Sequence, residues 1–66
     1  MHITLNGDSC EYPDKLSASQ LLENLGLSGK RLALEVNREI VPRSSFDRHI
    51  IQPGDQVEIV HAIGGG

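Results

Sequence analysis

Sixty-six residues carry six basic and nine acidic side chains, a net charge of -3, one cysteine and only two aromatics, Tyr12 and Phe46. That balance argues against a surface that grips phosphates or stacks bases, so nucleic acid is not an expected partner. A chain this short makes one thin-cored domain that buries about 60% of the surface exposed when unfolded, with no room for an enclosed substrate cavity.

A lone cysteine, Cys10, excludes an internal disulfide, and no paired cysteines suggest zinc. The longest apolar run, Leu32-Ala33-Leu34, is far short of the ~20 residues that span a bilayer. With no charged-then-apolar leader at the amino terminus, the expected setting is the cytoplasm, with no membrane partner.

His2-Ile3-Thr4-Leu5-Asn6 alternates apolar and polar residues, the period of a strand with one buried face. Gly7-Asp8 offers a tight turn, and Ser9 to Tyr12 return antiparallel until Pro13 ends the hairpin. Cys10 on the second strand reads as a small packing residue, because no histidine stands where it would activate a thiol.

Ser17 and Gln20 form a capping box, with Leu16 and Leu21 as its hydrophobic staple, so a helix starts at Ala18. Ala18, Leu21, Leu22 and Leu25 fall on one side. Gly26 supplies a left-handed ending from which Leu27 folds back towards Leu22. So short a helix is marginal alone, and its leucine stripe must cover a sheet.

Gly29-Lys30 fails as a phosphate loop, since Arg31 follows where Ser or Thr is required and a helix precedes where a strand is required. Arg31 to Val36 reads as a third strand, with Leu32, Leu34 and Val36 on one face. Asn37-Arg38-Glu39 turns the chain into a short fourth strand, Ile40-Val41, ended by Pro42 as suits a sheet edge. Ser44 to Asp47 opens one helical turn and offers Phe46 as a plug for the core.

Gln52-Pro53-Gly54-Asp55 has the residues of a type II turn and feeds the last strand, Gln56 to Ile63. Val57 and Ile59 face the helix. Val60 and Ala62 face the other way, where they either form a docking strip for partners, continued by Ile63, or pack beneath a loop.

His2, His49 and His61 lack acidic or cysteine company at ligand spacing, so no metal site is expected. Nor does any Ser-His-Asp grouping or pair of carboxylates make a self-contained catalytic site. The chain is therefore expected not to be an enzyme. What remains is the end of the chain, where Gly64, Gly65 and Gly66 place a main-chain carboxylate on a tether without side chains. Such a tether passes through a narrow channel, although chain ends are often glycine-rich for no such reason. The expected division is a domain over residues 1–63 and a flexible tail over 64–66.

The order strand, strand, helix, strand, strand, turn, strand is an α+β pattern with one helix across one sheet. Over essentially its whole length the chain resembles the ubiquitin-like β-grasp sulfur carriers, and among them the carriers of thiamine thiazole synthesis. The resemblance rests on "LNG" near the start, "LLENLGL" in the helix, "ALEVNREIVPR" across the third and fourth strands, "PGDQVEIV" into the last strand, and "GGG" at the end. Phe46 departs from it, standing where a larger aromatic is expected.

The resemblance implies one mixed five-stranded sheet with the first and last strands parallel at its centre. It implies that an E1-like adenylating enzyme joins the Gly66 carboxylate to AMP. A sulfurtransferase or cysteine desulfurase then supplies sulfur to form a thiocarboxylate, and thiazole synthase consumes it. No cofactor is bound by the chain, because ATP and the sulfur donor come through the partners. Two other readings stay open: the small subunit of molybdopterin synthase, and a ubiquitin-like interaction module or modifier.

Overall fold

The computed structural model describes residues 1–61. Five strands and one helix run in the order β1 (His2–Leu5), β2 (Asp8–Glu11), α1 (Ala18–Asn24), β3 (Leu32–Val36), β4 (Glu39–Val41) and β5 (Gln56–His61), with a 3₁₀ turn over Arg43–Ser45. The sheet order is β2-β1-β5-β3-β4. β1 and β5 pair in parallel, and the other three pairings are antiparallel. The mixed sheet with a parallel pair in its middle is therefore present, and β5 is its central strand.

Two turns differ by one residue from the sequence reading. The first hairpin turns on Asn6-Gly7, not Gly7-Asp8, and Asp8 is already paired with Leu5. The second turns on Asn37-Arg38, with Glu39 paired to Val36. All four turn residues have positive φ, at 48° and 87° in the first and 54° and 69° in the second. A tight hairpin needs that backbone to match strand twist, and asparagine and glycine reach it most readily.

The helix caps form as their residues dictate. Ser17 Oγ accepts from the Gln20 N–H at 3.1 Å, and Gln20 Oε1 accepts from the Ser17 N–H at 2.9 Å. At the other end Gly26 adopts φ +72°, while the Gly26 and Leu27 amides donate to the Glu23 and Leu22 carbonyls. These are the two bonds of a Schellman motif.

Ala18, Leu21 and Leu22 of the helix pack with Ile3, Leu34, Val36, Val41, Val57 and Ile59 of the sheet, closed by Leu16, Phe46 and Ile51. Cys10 packs half-buried against this cluster. Phe46 is 9% exposed, so a phenyl ring suffices to plug its site. All of this core lies on one face of the sheet, and among the described residues no helix covers the other face.

Candidate functional site: the end of the central strand

β5 is held by side chains from both neighbouring hairpin turns, at its start by Asn37 and midway along by Asn6. Asn37 Oδ1 accepts from the Gln56 N–H at 3.0 Å, and Asn37 Nδ2 donates to Asp55 Oδ1 at 3.0 Å. The buried Asp55 also accepts from the Gln52 N–H at 2.8 Å, which closes the turn before the strand. Gly54 has φ +85°, as the second central residue of a type II turn requires. From the β1 side, Asn6 Oδ1 accepts from the Ile59 N–H at 2.8 Å. The sequence reading missed these braces, which span up to 53 residues. Asparagine at a hairpin tip was their only local signal.

Burial alternates along the strand, with Val57 and Ile59 in the core and Gln56, Glu58 and Val60 outside. Val60 is 54% exposed and lies opposite Ala33 on the open face, with no loop over it among the described residues. Ile40, on the edge strand, is 71% exposed. Between these apolar residues Glu35 and Glu58 stand directly opposite each other. Like charges in that register do not stabilise a sheet.

Where β5 ends, Leu32, Ala33, Val60 and His61 line a shallow hollow flanked by Arg31 and Arg43. The Arg43 guanidinium donates to the Lys30 carbonyl at 3.0 Å. Three of the six basic residues thus gather at this end of the sheet, and they are not scattered as the linear sequence suggests. Among the described residues no cluster could hold a metal ion, and no helix is long and apolar enough to cross a membrane. His2 instead meets Glu11 across the β1–β2 pair, with Nδ1 2.7 Å from Oε1.

Of the sequence-predicted site residues, Val60 is on the open face beside this hollow. Ala62, Ile63, Gly64, Gly65 and Gly66 lie outside the described residues, as does the boundary between domain and tail. The strand order, the single crossing helix and the central last strand define a β-grasp domain of the ubiquitin-like class.

Comparison with known proteins narrows that class. Residues 3–66 match the model of the ThiS family. The chain is 35% identical to the sulfur carrier protein ThiS of Escherichia coli, with the whole of both chains covered. It superposes on the crystal structure of the thiamine biosynthesis protein ThiS from Geobacter metallireducens with a TM-score of 0.87, at 30% identity and over all of both chains. It is also 38% identical to a thiazole synthase of Paramagnetospirillum magneticum, all of it aligning with 20% of that protein. It therefore spans about a fifth of that relative's length. The chain belongs to the ThiS family.

Proposed function

We propose that this chain is a sulfur carrier of thiamine thiazole synthesis whose reactive group is the main-chain carboxylate of Gly66. A carboxylate is a poor electrophile, being negative and resonance-stabilised. An E1-like adenylating enzyme activates it: a carboxylate oxygen attacks the α-phosphorus of ATP and pyrophosphate leaves. A persulfide on a sulfurtransferase or cysteine desulfurase then displaces AMP from the acyl-adenylate. A thiol cleaves the resulting S–S bond, so the carrier keeps a thiocarboxylate and the donor side becomes a disulfide. Thiazole synthase takes that sulfur.

The chain itself holds neither ATP nor a metal and catalyses none of these steps. Its role is that of a co-substrate in the cytoplasm, beside the enzymes that use it. An acyl-adenylate hydrolyses in open water, so each transfer needs a site that excludes it. Gly64 and Gly65 have no side chains to obstruct entry into such a site. Val60, continued by Ala62 and Ile63, gives the partners an apolar strip to hold beside the tail.

The observation that carries the reading is the placement of β5. The strand that leads to the glycines is the central one of the sheet, braced by Asn6 and Asn37. It ends beside an exposed apolar patch with five residues still to come. The similarity to a thiazole synthase supports that enzyme as a partner.

The test is complementation. A strain without its own carrier, supplied with this chain lacking Gly66, is expected to fail without thiamine while the shortened protein remains folded. Growth of that strain at the full-length rate would overturn the reading.

A further inference from the structure

We propose that Lys30, Arg31 and Arg43 form a basic collar at the root of the tail that recognises an acidic rim around the mouth of the adenylating enzyme. This rests on the sulfur-carrier reading and adds the chemistry by which the partner is recognised.

The chain as a whole is acidic, with nine carboxylate side chains against six basic ones. Yet Arg31 and Arg43 flank the hollow at the end of β5, and Arg43 is bonded to the backbone of Lys30. All three side chains belong to exposed residues, and none forms an ion pair among the described residues. Glu23 and Asp47 lie in the adjoining hollow towards the helix, together with Lys30 and Arg43, and so bound the collar on that side. The opposed Glu35 and Glu58 lie further down the open face. Charge of opposite sign thus lies on either side of the apolar patch, enough to orient a partner as well as attract it.

Reach makes the collar unavoidable. Five residues separate His61 from the final carboxylate, and fully extended they span at most roughly 17 Å. An enzyme that encloses the carboxylate must bring its rim down over the strand end, where the three cations are. A partner with carboxylates there gains faster encounter, whereas a basic rim is repelled.

The test measures ATP–pyrophosphate exchange by the E1-like adenylating enzyme of the source organism, with the carrier as varied substrate. Lys30→Glu and Arg31→Glu are each expected to raise KM about tenfold and leave kcat within about twofold, because charges at a rim act on encounter. The fall of kcat/KM with added salt is expected to flatten in both. Arg38→Glu, at the opposite end of the sheet, changes net charge equally and is the control. Reversals that move KM no further than this control would overturn the collar while leaving the carrier reading intact. If the unaltered chain supports no exchange at all, both fall together.

Discussion

Asn6 and Asn37 each take the first position of a two-residue turn with positive φ, and each sends a carboxamide oxygen to an amide of β5. Removing the Asn37 side chain deprives the Gln56 amide and the buried Asp55 of a partner at once, and alanine tolerates the left-handed backbone poorly. Asn37→Ala is expected to cost about 2–3 kcal/mol, read as a lower urea midpoint at unchanged slope. Its neighbour has the opposite sign. Arg38 has φ 69° where a hairpin of this kind favours glycine. Arg38→Gly is expected to stabilise by about 0.5–1 kcal/mol in the same titration. At this scale the sequence was only partly legible. The type II turn at Gly54 is written in consecutive residues, and so is the packing role of Cys10. The reach of Asn6 to Ile59 depends on which strands become neighbours, and no local pattern records that.

The helix is the element whose every boundary the sequence spelled out. Its capping box and Schellman ending use residues within five positions of one another, so both ends are written locally, although the first-turn amides of Ala18 and Ser19 also donate to the distant His49 and Phe46 carbonyls. Ser17→Ala removes the cap acceptor and is expected to cost about 1 kcal/mol. Leu21 is fully buried against the sheet, and Leu21→Ala is expected to cost about 2–5 kcal/mol, a large share of the stability of so small a domain. Thermal melts of the two variants check both values. The hairpins were legible as elements but displaced by one residue at their turns. Alternation fixes which residues form strands, whereas the turn residue is chosen by backbone angles that asparagine and arginine adopt here without a glycine at both positions.

For the whole molecule, the buried apolar core among the described residues runs from Ile3 to Ile59. Val57 and Ile59 are the residues of β5 that contribute to it. Glycine has no side chain to pack, so on the sulfur-carrier reading Gly65→Ala is expected to leave the melting temperature unchanged while lowering the rate of adenylation or transfer about tenfold or more, since a small misplacement of a reacting group costs at least that much. The tail was legible as a candidate because three glycines follow an apolar strand. The gathering of Lys30, Arg31 and Arg43 was not legible, because the sheet and the turn after β4 bring together cations that stand up to thirteen positions apart.

The measurement that bears most directly on the central claim is the intact mass of the chain after incubation with the adenylating enzyme, ATP and a sulfur donor. The expected result is a gain equal to the exchange of one oxygen for sulfur, located on Gly66 by fragmentation and absent from the chain that lacks this residue. An unchanged mass under conditions where ATP is consumed, or sulfur found on Cys10 instead, would contradict it.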